Sequence, residues 1–131
     1  GQALRDNGFG KLITYDIFEK YKYKHSDRDI LLNNLKFYKL TDIVSVEFGD
    51  FYDFIKGGFE FDMAHIDISN TGEIIEKVIK AYPDKTILFE GGSKERDNNE
   101  WMVKYKAKTI NHIQKEILND KYPSISLIKN N

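Results

Sequence analysis

The chain has 131 residues, 40% of them apolar and 14% aromatic, which is enough for one buried core. Twenty Lys plus Arg against 21 Asp plus Glu give a formal charge of -1, arguing against a general electrostatic grip on nucleic acid or an anionic membrane. The absence of cysteine excludes disulfides, thiolate metal sites and cysteine nucleophiles, and no apolar run approaches the roughly 20 residues of a membrane span. A single domain over residues 1–131, in a cytoplasmic protein, is the expectation. The chain opens on Gly1 rather than Met and reads as a fragment.

Gln2 to Asn7 reads as the tail of a helix closed by Gly8. Lys11 to Asp16 (KLITYD) is a short strand with an acid at its carboxyl end. Next, Lys20, Lys22 and Lys24 alternate with Tyr21 and Tyr23. Such a mixture can stack bases and hold phosphates, but solvated lysines on a loop are the preferred reading. Ser26 and Asp29 resemble a capping box for a helix from Asp27 to Leu40, with Ile30, Leu31, Leu35 and Tyr38 at helical spacing. Asp42 to Phe48 is the next strand, ended by Gly49 and Asp50. A short helical turn over Phe51 to Ile55 is broken by Gly57 and Gly58.

Phe59 to Gly92 is the central stretch. FEFDMAHIDIS reads as a buried strand ending in an acid, and TILFEGG as a second buried strand ending in an acid and two glycines. Between them Asn70 or Thr71 caps a helix whose apolar face is Ile74, Ile75, Val78, Ile79 and Tyr82, and Pro83 stops it. This is a βαβ unit, and Asp67, Ser69 and Glu90 share the rim at which its strands exit. Ser93 caps a helix carrying Trp101, Met102 and Tyr105. Ile110, Ile113 and Ile117 mark another apolar stripe, and SISLIK is a final strand. The alternation predicts an α/β fold with a mainly parallel, Rossmann-like sheet between two helix layers.

Asp16, Asp50 and Asp67 close three successive strands, and Glu90 a fourth. A carboxylate at a strand exit can accept two hydrogen bonds from a vicinal diol, or one from an exocyclic amine. His65, two residues before Asp67, reads as a hydrogen-bonded core histidine rather than a base. Lys94, Glu95, Arg96 and Asp97 fit either an anionic acceptor or a solvated helical turn.

The series KLITYDIF, IVSVEFGDFYDFI, FEFDMAHIDIS and KTILFEGG resembles the second to fifth strands of a class I S-adenosylmethionine-dependent methyltransferase, over Leu12 to Gly92. The resemblance implies that Asp16 binds the cofactor's ribose and Asp50 the adenine amine, with Phe51 beside it. It also implies that Asp67 lies under the methionine portion, bears on the acceptor and is the catalytic residue. No metal is assigned; Asp67 and Glu90 are the acids that would hold one, and they make up half of the metal pattern of some O-methyltransferases. The implied activity is methyl transfer to a small-molecule acceptor. The rivals are a non-catalytic nucleotide-binding or assembly module and a dinucleotide-dependent oxidoreductase fragment. The family's first strand and glycine-rich turn find no match in the sequence, so the chain by itself is expected to be inactive, to bind the cofactor poorly and to tend to self-associate.

Overall fold

The structure, a computed structural model, describes residues 1–20, 27–121 and 123–129. The basic and aromatic run at Tyr21 to Lys24, the expected cap Ser26, and Tyr122 lie outside the described residues. The fold is mixed α/β, and the chain divides into two compact units, Gly1–Phe54 and Ile55–Asn131. Among the described residues no helix is long and apolar enough to cross a membrane.

The first unit runs α1 (Gln2–Asn7), β1 (Leu12–Asp16), a 3₁₀ turn (Phe18–Lys20), α2 (Arg28–Phe37), β2 (Val44–Phe48) and α3 (Phe51–Phe54). β1 and β2 pair in parallel, Leu12 beside Val44 and Asp16 beside Phe48. The two-residue period of a strand puts Leu12, Thr14, Val44 and Val46 on one face. There Val44 and Val46 join Phe18 and Leu35 in a core flanked by Leu31, Leu32, Leu40 and Ile43. The other face carries Ile13, Tyr15, Ser45 and Glu47, all exposed.

Asp27, one residue beyond the expected Ser26, caps α2: its carboxylate accepts from Asp29 N at 3.0 Å and Ile30 N at 3.1 Å. The far end closes when Lys39 N donates to Lys36 O at 3.0 Å and Leu40 N donates to Leu35 O at 2.8 Å. That closure forces Lys39 to a φ of 54°. Glycine is the usual occupant of such a position, and a side chain in this left-handed conformation costs roughly 1 to 2 kcal/mol.

The second unit contains β3 (Met63–Ile66), α4 (Gly72–Ala81), β4 (Thr86–Glu90), α5 (Lys94–Asp97), α6 (Glu100–Lys104), β5 (Glu116–Asn119) and β6 (Ile125–Ile128). Its sheet has the order β3-β4-β6-β5. Only the β3–β4 pair is parallel, and β6 runs antiparallel to both β4 and β5. The expected mainly parallel sheet is therefore a mixed one here. Ala64, Ile66, Ile87, Phe89, Ser126 and Ile128 share a face by register, and it is the covered one: Ile87, Phe89 and Ser126 are fully buried. On the opposite face Met63 is 57% exposed, His65 is exposed, and Leu88 and Leu127 are half-buried.

Three expectations are corrected in this unit. The run before Asp67 is strand only from Met63, and His65 lies on its open face rather than in the core. Residues 94–104 form two short helices, because Asn99 Oδ1 accepts from Met102 N at 3.0 Å and starts a new cap. Ile110 and Ile113 are buried without a helix, while Ile117 lies on β5 and is 45% exposed.

The helix α4 is held at its start by Thr71, whose hydroxyl accepts from Ile74 N at 3.5 Å. It buries Ile75 and Val78 completely, and Tyr82 beyond it meets Phe61 edge to face at 4.9 Å. Gly72 opens the helix with no space for a side chain: a Cβ there would run into the carbonyl oxygen of Thr109, and Gly72 N donates to Lys108 O at 2.7 Å. Gly72→Ala should destabilise the protein by roughly 1 to 3 kcal/mol in urea denaturation, because a backbone atom cannot swing aside as a side chain does. An unchanged midpoint would mean that the contact is not maintained in solution.

One turn later, Glu76 accepts from Lys108 Nζ at 2.6 Å and stands 2.7 Å from His112 Nε2. The hydrogen bond from Lys108, then that from His112, holds the Glu76 carboxyl below the ordinary glutamate range. A depressed carboxyl contributes stability above its unfolded value and loses it as pH falls through the folded one. The stability difference between the native chain and Glu76→Gln should therefore vanish as pH drops below about 4. A difference constant from pH 7 to pH 3 would remove the ionic contribution.

Candidate functional site

The predicted acids fall into two pairs, one in each unit. Parallel pairing of β1 with β2 brings Asp16 and Asp50 to the same end of their sheet, and parallel pairing of β3 with β4 does the same for Asp67 and Glu90.

Asp16 is half-buried, and its Oδ1 accepts from Phe18 N at 2.7 Å. This bond turns the chain sharply as it leaves β1, with Phe18 at a φ of 44° and its ring buried in the core. Gly49 N donates to Asp16 O at 3.2 Å, drawing the exit of β2 across the exit of β1. A Cβ at Gly49 would stand 2.7 Å from the Tyr15 ring, so a larger residue there would have to displace that ring. Asp50 follows directly. Its Oδ1 accepts from Tyr52 N at 2.8 Å, and its backbone oxygen accepts from Asp53 N and Phe54 N. Asp50 is exposed, and its second carboxylate oxygen has no hydrogen-bond partner among the described residues. Phe51 is half-buried, its ring 5.9 Å from that of Tyr52.

In the second unit Asp67 and Ser69 are exposed, and Asp67 makes no hydrogen bond or ion pair among the described residues. Glu90 is half-buried. The residue that organises this end is Asn70, which the sequence marks only as a possible cap. It is fully buried, and its Nδ2 donates to Ile66 O at 3.0 Å and to Glu90 O at 2.7 Å, tying together the exits of β3 and β4. Arg96 Nη2 donates to Asn70 O at 3.4 Å, with the guanidinium 4.6 Å from the centre of the Trp101 ring. Arg96 and Asp97 are buried, whereas Lys94 and Glu95 are exposed, so the charged run is neither a fully solvated turn nor four charges offered to a ligand.

Asp97 Oδ2 accepts from Ile110 N at 2.9 Å. Lys115 Nζ donates to Ile110 O at 2.9 Å and to Ile113 O at 3.1 Å. Burial pushes the Lys115 ammonium below the ordinary lysine value, opposed by the Asp97 charge. On the strand behind, Ser126 Oγ donates to Gly91 O at 2.7 Å, and Gly91 N donates to Ser124 O at 2.7 Å. Gly91 and Gly92, at φ of 121° and 93°, make this doubling back possible. Apart from a Ser93 cap on Arg96 N, nothing in the local sequence signals the network, because its partners come from residues 66 to 126.

Chemically, the first unit offers two carboxylates at one sheet end, suited to hydroxyl and amine donors. The second offers an exposed acid beside a rigid, buried polar layer. Among the described residues no three His, Asp or Glu side chains are grouped so as to hold a metal ion. No protein-family model matches the chain, and no curated protein matches it.

Asn70→Ala should cost about 2 to 3 kcal/mol in urea denaturation, since two carbonyl groups lose their donor in a buried place. Asn70→Asp, of the same shape but unable to donate when ionised, should lose as much. An Asn70→Asp chain as stable as the native one would dismiss the bridge.

Proposed function

We propose that the chain is a class I S-adenosylmethionine-dependent methyltransferase domain acting on a small-molecule acceptor, with the three-layer Rossmann-like arrangement of that family. The observation that supports this reading most is the pair of acids at the common end of β1 and β2. Asp16 accepts the ribose hydroxyls of the cofactor. Asp50 accepts the adenine amine through the oxygen that Tyr52 N leaves open, and Phe51 supplies a ring face or an amide beside it. The residues fit the adenosine portion, which needs one acceptor for a diol and a second for an amine. Asp67, exposed at the end of the β3 exit, bears on the acceptor and is the catalytic residue of the proposal.

The cofactor supplies an electrophilic methyl group, so the protein's part is alignment. Acids fixed by backbone bonds, as Asp16 is by Phe18 N, hold a ligand with little further loss of freedom. A base is required only where the acceptor must lose a proton, and the proposal assigns that part to Asp67. The family's glycine-rich turn has no counterpart in Gly8 and Gly10, which follow α1. Affinity of the 131-residue chain for the methionine end of the cofactor is accordingly expected to be small.

A nuclear magnetic resonance titration with adenosine and with S-adenosylhomocysteine tests the assignment. Both should perturb the amides of Asp16 and of Asp50 to Tyr52, and 2′-deoxyadenosine should bind about 10-fold more weakly than adenosine. In Asp16→Ala that discrimination should disappear, because the acceptor for the missing hydroxyl is already gone. Equal binding of adenosine and 2′-deoxyadenosine to the native chain would remove the ribose assignment.

A further inference from the structure

The chain contains one asparagine followed by glycine, Asn7–Gly8, at the end of α1. Each of its other asparagines up to Asn130 is followed by a residue that carries a side chain. An asparagine can react with its own backbone, because the nitrogen of the next residue reaches the side-chain carbonyl carbon in a five-membered ring. A side chain on that next residue crowds the approach, and glycine has none.

The surroundings leave this pair open. Asn7 is exposed, and its side-chain amide makes no hydrogen bond among the described residues. Gly8 is exposed as well, and a Cβ built on it would meet no atom within 4 Å. One backbone bond restrains the nucleophile: Gly8 N donates to Arg5 O at 3.0 Å. That bond closes a helix of six residues that buries none of them. Helices so short are not stable by themselves in water, and their ends fray. The last turn of α1 is held through Arg5, whose Nη1 donates to Tyr38 O at 3.2 Å and whose Nη2 meets Asp42 Oδ1 at 2.8 Å. Both contacts are solvent-exposed, where such bonds are weak.

We infer that Asn7 is a site of spontaneous covalent modification in the folded chain, controlled by the opening of the α1 cap. When the cap opens, the Gly8 nitrogen gives up its proton to solvent and forms a bond to Asn7 Cγ, and the Cγ–Nδ2 bond breaks with ammonia as the leaving group. Water then adds to the succinimide ring. Addition at Cγ breaks the new bond to Gly8 N and leaves an ordinary aspartate. Addition at the backbone carbonyl carbon breaks the original peptide bond and leaves an isoaspartate, with the chain running through Cγ. Both products place a new carboxylate at the end of α1, where a negative charge opposes the helix dipole. The isoaspartate also lengthens the backbone by one carbon, so Gly8 N no longer falls on Arg5 O. Modification therefore unfastens α1 from its carboxyl end. This site is separate from the acids at the β1 and β2 exits, and the inference does not rest on the methyltransferase reading.

The test is to age the whole chain at neutral pH, digest it with trypsin under mildly acidic conditions and follow the peptides by mass spectrometry. Cleavage after Arg5 and Lys11 releases residues 6–11, with Asn7 as their sole asparagine. That peptide should gain aspartyl and isoaspartyl forms severalfold faster than the peptides carrying Asn33 and Asn34 or Asn98 and Asn99. In oxygen-18 water each conversion should take up one heavy oxygen. Conversion should be slower than in the urea-unfolded chain, because the cap withholds the nitrogen. Arg5→Ala, read on the peptide 1–11, should raise the rate severalfold, to a value still below that of the unfolded chain, and Asn7→Gln should nearly abolish it. A peptide 6–11 converted no faster than the comparison peptides would overturn the site. Equal rates in the folded and unfolded chains, or a rate that Arg5→Ala leaves unchanged, would overturn the control by the cap.

Discussion

Two parallel strands that stop together leave their last carbonyl groups without ladder partners, and a buried end of this kind must find donors elsewhere. In the Ile55–Asn131 unit, Asn70 provides both from one side chain. The rest of that end depends on it: Arg96 leans on the Asn70 carbonyl, Ser93 and Trp101 hold Arg96, and the glycine turn after β4 is fastened to β6 by Ser124 and Ser126. Not every member is satisfied. Asn70 Oδ1, Arg96 Nη1, Asp97 Oδ1 and Ser124 Oγ are buried with no partner among the described residues. A polar layer of this kind fixes position strongly and adds little net stability.

The Gly1–Phe54 unit meets the same requirement with other means. Its strand exits are fastened by carboxylates, Asp16 to Phe18 N and Asp50 to Tyr52 N. Each bond satisfies a backbone donor and at the same time fixes the acid that performs it. An acid at a strand exit is therefore not by its presence a ligand site. What separates Asp50 from a simple cap is its exposed second oxygen.

Much of the element order was legible, because caps and stops act locally. Thr71 and Pro83 bracket α4, Gly8 closes α1, and the apolar spacing from Ile74 to Tyr82 is that of a helix with one buried face. That acids sit at the strand exits was legible too, but their division between a two-stranded and a four-stranded sheet, where a single mainly parallel sheet is the expectation, was not. Burial was not. Apolar runs such as FEFDMAHI look like strands covered on both faces, yet Met63 and His65 are open, and periodicity cannot count how many layers a sheet receives. The strand β5 was missed because Ile113 and Ile117, four residues apart, mimic a helical stripe. The Asn70 layer could not be read at all, since nothing in an asparagine after a strand announces which distant carbonyls it will serve.

The placement of β4 has a consequence for how the molecule opens. It is flanked by β3 and β6 and carries Ile87 and Phe89 with no exposed surface, whereas β1 and β2 form a sheet of two strands with an apolar Ile13 half in water. Amide protons of β4 are expected to exchange only when the whole Ile55–Asn131 unit comes apart, and those of β1 and β2 through smaller fluctuations. Kinetic layering is the consequence: the first unit is expected to open to a protease more often, and the second to be the part that outlasts it in limited digestion.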